Sequence, residues 1–277
     1  MSKDDVAYVA HDAGVGAIDT VDLGTAETAR CFVDAWRYMV AHYPGHVVAQ
    51  VGPVAVTLSQ TNCPFFNLIT IDAPTENAAA LHQALTTARG YAEGCPHATM
   101  LLLSPDWLPK GASDVLTAQG VAFSMSLTGM ATDALAAPRR ADPKLDFRLT
   151  SDEATALDLG RVNADAYGMP HELFAITGRI PHWTGTQVGA VGYIDGQPVT
   201  AAQAYVLGER IYIAMVATHP RHHGKGYGEE AMRRAIAAVQ EVAGHKRLWL
   251  HASDMGRPLY RAMGFADGAR LDLYGFA

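Results

Sequence analysis

The secondary-structure signals of this 277-residue chain run through one order twice, and that repetition limits the folds open to it. In the first half a helical pattern over 25–43 precedes the apolar runs HVVAQV, VAVTLS and FFNLITI, with Gly52-Pro53 turning the first pair. An Ala-rich helical stretch (76–93), the strand ATMLLL, a short helix near 112–119 and the strand VAFSMSLTGM complete it. In the second half LDFRL is followed by a helix, capped within 151–153 and running to Tyr167, and then by three strands within 187–218. Asp195-Gly196 and Gly208-Glu209 mark their hairpins. A helix over 226–243, the strand RLWLHAS, a short helix in RPLYRAMGF and the strand ARLDLYGF close the second half. Pro74 and Pro220 follow corresponding strands, while ALTTA (84–88) and LTAQGVA (116–122) align with AMRRA (231–235) and YRAMGFA (260–266).

This order predicts an α/β (α+β) protein of two mixed-sheet domains in tandem. Each has antiparallel strands followed by a parallel crossover. The stretch ATDALAAPRRADPKLD carries Ala, Pro and charge without an apolar period and reads as a linker. The expected division is 1–134, a linker at 135–144, and 145–277. On the helix over 226–243, Met232, Ala235, Ile236, Val239 and Val242 are expected to face the core, with Glu229, Glu230, Arg233, Arg234 and Gln240 turned away.

Formal charge is −7, and the 14 acids of residues 1–144 outnumber their 8 Lys and Arg. That is not the basic footprint of a nucleic-acid binder, so an anion site must be local. No apolar run reaches the roughly 20 residues that span a bilayer. MSKDDVAYVAHDAG lacks the pattern of a signal peptide. Cys31, Cys63 and Cys95 form neither a disulfide framework nor a CxxC pair. These features predict a cytoplasmic protein, monomer or homodimer, with no nucleic-acid or membrane partner.

Three glycines (Gly224, Gly226, Gly228) open the helix that follows THPRHH, each costing about 0.5–1 kcal/mol relative to alanine. A helix N-terminus exposes unpaired N–H groups and the positive end of the helix dipole, and glycine lets an anion reach them. With Arg221 and Lys225 nearby, the loop reads as a diphosphate cradle. It is neither a Walker loop, which needs Lys then Ser/Thr after its last glycine, nor GxGxxG.

Arg221-x-x-Gly224-x-Gly226 after the strand IYIAMVAT, with Leu259, Tyr260, Gly264 and Phe265 downstream, resembles the GCN5-related N-acetyltransferase (GNAT) family. The resemblance covers about 145–277; by element order, the first half resembles a degenerate, non-catalytic GNAT unit. It implies a tandem protein and an acetyl-CoA-dependent N-acetyltransferase, in which an amine attacks the bound thioester directly. Val216, Ala217 and Thr218 would hold the pantetheine arm by backbone groups. Arg221, His222, His223, Gly224, Lys225 and Gly226 would bind diphosphate, with Tyr227 and Gly228 continuing the helix. Tyr260 would protonate the departing thiolate. The acceptor is expected to be an amine of a small molecule or peptide. A non-catalytic acyl-CoA sensor with the same fold is the alternative.

Other chemistry has less support. His219, His222 and His223 lack the converging partners of a zinc site, so no metal is expected. The second half has no cysteine and the chain has no G-x-S-x-G elbow, which disfavours a covalent acyl-enzyme. His251, inside LWLHAS, reads as a satisfied buried histidine. Asp165, Glu172, Glu209 or a water could deprotonate the amine. Tyr167, Phe174 and Trp183, within or beside YGMPHELFAITGRIPHW, are equally readable as acceptor wall or core.

Overall fold

The structure, a computed structural model, describes residues 23–178, 183 and 185–276. The N-terminal stretch read for targeting signals, and residues 179–182 of the segment read as acceptor wall, lie outside the described residues.

The first half contains α1 (Thr25–Val40), β1 (Val47–Val51), β2 (Val54–Leu58), β3 (Asn67–Ile71), α2 (Ala78–Glu93), β4 (Met100–Leu103), α3 (Ala112–Ala118) and β5 (Val121–Thr132). The second contains β6 (Asp146–Leu149), α4 (Glu153–Tyr167), β7 (Gln187–Ile194), β8 (Gln197–Leu207), β9 (Arg210–Thr218), α5 (Tyr227–Ala243), β10 (Arg247–Ser253), α6 (Arg257–Ala262) and β11 (Ala266–Phe276). The repeated order is therefore present. Asp195 and Gly196 both take positive φ in the β7–β8 hairpin, as a tight type I′ turn requires. Asp152 caps α4, its carboxylate accepting from the Thr155 N–H at 2.8 Å.

The strands form one 11-stranded sheet in the order β1-β2-β3-β4-β11-β5-β10-β9-β8-β7-β6. The parallel crossovers expected in each half are β3 beside β4 and β9 beside β10. The closing strands, however, are exchanged. β11 of the second half pairs with β4 of the first, and β5 of the first half pairs with β10 of the second. β5 and β11 also pair with each other, from Ala266 opposite Ala131 to Phe276 opposite Val121. The Ser126 hydroxyl donates to buried Asp272 across this seam at 2.7 Å.

Apolar faces account for the helix positions. α2 and α3 bury Leu81, Leu85 and Leu116 against β2, β3 and β4. α5 buries Met232, Ala235, Ile236 and Val239 in a core shared with α6. Two residues depart from the amphipathic expectation. Val242 is 62% exposed in the last turn, whereas Glu229 is buried, with Arg233 bonding its carboxylate at 2.8 Å. A buried carboxylate is retained only when so paired. α1 contacts strands of both halves, and its Cys31, Ala35 and Met39 join Tyr205, Tyr212 and Trp249 in a core between them.

The linker residues lie ordered along α5. Arg247 grips Asp133 at 2.7 and 3.0 Å, the Ala136 N–H donates to the Met263 carbonyl, and Arg233 donates to the Ala136 carbonyl. Arg234 meets Asp142 at 3.1 Å and lies over the Phe147 ring.

Candidate active site

The seam between β9 and β10 opens part-way along. Pairing joins Arg210, Ile211 and Tyr212 to Arg247, Leu248 and Trp249, and residues 213–218 have no partner in β10. At the parting point β9 carries a bulge. Its register with β8 moves from Gln203 opposite Ala214 to Ala201 opposite Ala217, so Met215 and Val216 together face Ala202. Met215 takes φ 51°, a left-handed conformation costing a non-glycine residue about 1–2 kcal/mol. Buried Asn163 of α4 holds the bulge, its amide donating to the carbonyls of Met215 at 3.1 Å and Leu159 at 2.9 Å.

The three residues assigned to the pantetheine arm differ in their commitments. Val216 is paired with neither neighbouring strand. The Ala217 carbonyl accepts from the Thr200 hydroxyl at 3.0 Å, and the Thr218 carbonyl is bonded by His223 Nε2 at 2.7 Å. His223 is thereby turned back onto the strand end.

Beyond β9 a 3-10 turn at Pro220–His222 leads into the glycine loop, and His219 Nδ1 accepts from the Arg221 N–H. Gly224 has φ 74° and Gly226, the N-cap of α5, has φ 85°. Both sit in the left-handed region, where a β-branched side chain would be strained. Gly228 serves another purpose: a Cβ there would lie 3.2 Å from the Thr218 hydroxyl, so this glycine lets α5 sit close to β9. No side chain caps α5. The first bond into the helix is the Glu230 N–H to the Gly226 carbonyl, and the N–H groups of Tyr227, Gly228 and Glu229 have no acceptor among the described residues. Arg221 and Lys225 are exposed beside them. Lys225 Nζ is 3.3 Å from His222 Nδ1; partial burial, then the Lys225 charge, holds His222 below its ordinary value. Unpaired donors, open space at Gly224 and two cations fit a phosphate group.

Tyr260 lies on α6 and is 9% exposed. Its hydroxyl has no hydrogen-bond partner among the described residues, and burial, reinforced by Tyr167, pushes its pKa up. It therefore stays protonated at neutral pH. Arg257 and Arg261 both bind Asp267, fastening α6 to β11 and pulling the carboxyl down to about 2.

The remaining candidates separate by position. Glu209 sits in the β8–β9 turn, bonded by Lys246 at 3.0 Å and roughly 20 Å along β9 from Val216. Asp165 pairs with His171 at 2.8 Å, and Glu172 is exposed. Tyr167 is 55% exposed beside Phe65 of the first half, Phe174 is core, and the Trp183 indole donates to the Thr177 carbonyl. Phe174 and Phe65 share one apolar cluster, and Trp183 packs against another. His251 bonds the Tyr212 hydroxyl at 2.8 Å and the Thr28 carbonyl at 3.2 Å, and burial drops its pKa to about 3. It is a satisfied neutral histidine. The three cysteines are buried and form no disulfide; burial pushes Cys31 up to about 12 and Cys63 to about 11. Among the described residues no group of three or more His, Cys, Asp or Glu side chains could hold a metal. No helix among them is long and apolar enough to cross a membrane.

The sequence profile of the acetyltransferase (GNAT) family matches residues 166–265, a stretch containing the bulge, the glycine loop and Tyr260. The family's match therefore lies wholly within the second half. An 87-residue stretch, 30% of this chain, is 37% identical to streptothricin acetyltransferase of Streptomyces lavendulae, and it spans 44% of that enzyme. Over 91% of this chain and 95% of the other, the fold is similar to a GCN5-related N-acetyltransferase from Kribbella flavida, with TM-score 0.67 and 20% identity. A functionally unknown conserved protein from Staphylococcus epidermidis shares it over 85% of this chain and 96% of its own, with TM-score 0.62 and 14% identity. The likeness of fold thus extends through both halves, whereas the match to the acetyltransferase family is confined to the second.

Proposed function

We propose that the chain is an acetyl-CoA-dependent N-acetyltransferase with one working site, in the second half, acting on a primary amine of a small molecule or peptide. The observation that carries this reading is the open β9–β10 seam, bulged at Met215 and Val216 and leading directly to the uncapped start of α5. Bound acetyl-CoA supplies a thioester carbonyl open to attack and a thiolate leaving group. The loop from Arg221 to Gly226 binds diphosphate, chiefly through the N–H groups at the start of α5. Val216, unpaired in the seam, offers its backbone to the pantetheine arm. Tyr260 holds the proton that the leaving sulfur takes as the new C–N bond forms and the C–S bond breaks. The amine's own proton passes to water or to a carboxylate; Asp165 and Glu172 remain the side-chain candidates, since Glu209 stands at the wrong end of β9.

The buried thiols, all in the first half, support direct attack over an acyl-enzyme. Similarity to streptothricin acetyltransferase supports a small-molecule acceptor. Incubating the protein with acetyl-CoA and a panel of amines while following free thiol tests the reading. Thiol release matched by acetylated amine is expected. Binding of CoA without release across the panel would replace it with the sensor alternative.

A further inference from the structure

We propose that Arg140, in the linker between the halves, is a diphosphate-binding side chain of the CoA site; this assignment rests on the acetyl-CoA reading above. Its guanidinium donates to the Gly224 carbonyl, and its Cδ lies 3.3 Å from where a Cβ on Gly226 would stand. Arg140 therefore touches both left-handed glycines of the loop from the linker side, opposite the strand that feeds it. A small cleft between linker and loop has Arg140, Lys225, Gly226, Glu229, Glu230 and Arg233 in its lining, both carboxylates being paired with arginines of α5.

The linker holds this position from both sides. Before Arg140, Asp133 is gripped by Arg247 and Ala136 is bonded through both its N–H and its carbonyl; after it, Asp142 meets Arg234. A side chain delivered by so many contacts is pre-ordered, which reduces the entropy lost when it binds a ligand.

Charge separates Arg140 from its neighbours. Arg139 and Arg233 face Glu229, and Arg234 faces Glu230 and Asp142. Arg140 meets no carboxylate within ion-pair distance among the described residues, and its one protein hydrogen bond is to a carbonyl. A guanidinium has five N–H donors in a planar fork that matches phosphate oxygens. The donors not used on Gly224 have no protein acceptor among the described residues, and the side chain that carries them packs beside Gly226, the residue that begins α5. Together with Arg221 and Lys225, Arg140 brings positive charge to a chain whose overall charge is −7.

The test uses the full chain with CoA and 3′-dephospho-CoA, titrated calorimetrically at several salt concentrations. Arg140→Gln is expected to weaken both ligands about tenfold and to flatten the salt dependence, as loss of one charge-assisted phosphate contact should. Arg140→Lys should recover part of the affinity and most of the salt dependence. The ligand-free Tm should move by no more than about 2 °C, because the side chain is exposed and carries no ion pair. Unchanged affinity in Arg140→Gln, with CoA bound normally by the wild type, would overturn the role of Arg140 alone. Loss confined to CoA, sparing 3′-dephospho-CoA, would overturn it by moving the contact to the 3′-phosphate. A wild type that binds neither ligand would remove the acetyl-CoA reading and this assignment with it.

Discussion

The seam between β3 and β4 and the seam between β9 and β10 occupy the same place in the two halves, yet one is shut and the other open. β3 pairs with β4 from Leu68 opposite Met100 to Ile71 opposite Leu103, the last residue of each strand. The next residue is Asp72, a carboxylate that Gln50 contacts at 3.2 Å. The following helix is closed by its own Asn77, whose amide oxygen accepts from the Ala80 N–H at 2.9 Å. In the second half pairing stops at Tyr212, the bulge follows, and a glycine with no side-chain bond begins α5. The same order of elements therefore gives a closed seam in one case and an open one in the other. Three local changes account for the difference: a parted seam, a bulged strand and an uncapped helix.

Gly226→Val should break the contrast most severely. At φ 85° the branched side chain is strained, and it would also press on Arg140. CoA affinity should fall by more than about 100-fold while the fold persists; calorimetry and circular dichroism check both. Normal affinity in a folded variant would remove the cradle. The same titration of the wild type should give one CoA per chain, since the corresponding place in the first half has a carboxylate at Asp72 and a helix start capped by Asn77.

Tyr260→Phe should lower kcat about 100-fold with little change in the KM for acetyl-CoA, because the ring and its packing against Phe265 remain. A fall of less than threefold, measured with a productive amine, would assign the proton to water or another group.

Asn163→Ala sharpens the comparison at the bulge. It removes the two bonds that the Asn163 amide donates to the Met215 and Leu159 carbonyls, so kcat/KM should drop about tenfold and stability by about 1–2 kcal/mol. An unchanged kcat/KM in a destabilised variant would make the bulge a packing feature only. The smallest effect is expected for Asn77→Ala. Losing this cap should cost about 1 kcal/mol in denaturant melts and create no second CoA site, because the β3–β4 seam stays paired.

Much of this was legible in the sequence because it is local. Asp195-Gly196, the Asp152 cap and the glycine loop each act within a few residues. The bulge was not legible: IYIAMVAT is a continuous apolar run with no glycine at Met215, and only the surrounding packing holds that residue at positive φ. Asn163 left a faint signal, a polar side chain on the face of α4 that also carries buried Leu159 and Val162. Glu229 and Val242 were misplaced because helical periodicity ignores what packs at each end. The linker around Arg140 has no apolar period, and ion pairs with α5 order it instead. The exchange of β5 and β11 was hidden for a different reason. With one order of elements in both halves, either closing strand suits either site by its pattern, and pairing partners are decided by geometry far away along the chain.

That exchange has a consequence for how the molecule is made. When the ribosome has released the first half, β4 lacks its neighbour β11 and β5 lacks its neighbour β10, so two strand edges must wait for residues 247–276. Such late, distant pairings raise the contact order and slow folding. Unpaired edges invite association with other chains while they wait. The two halves, drawn as separate along the sequence, should complete their sheets in a single cooperative step.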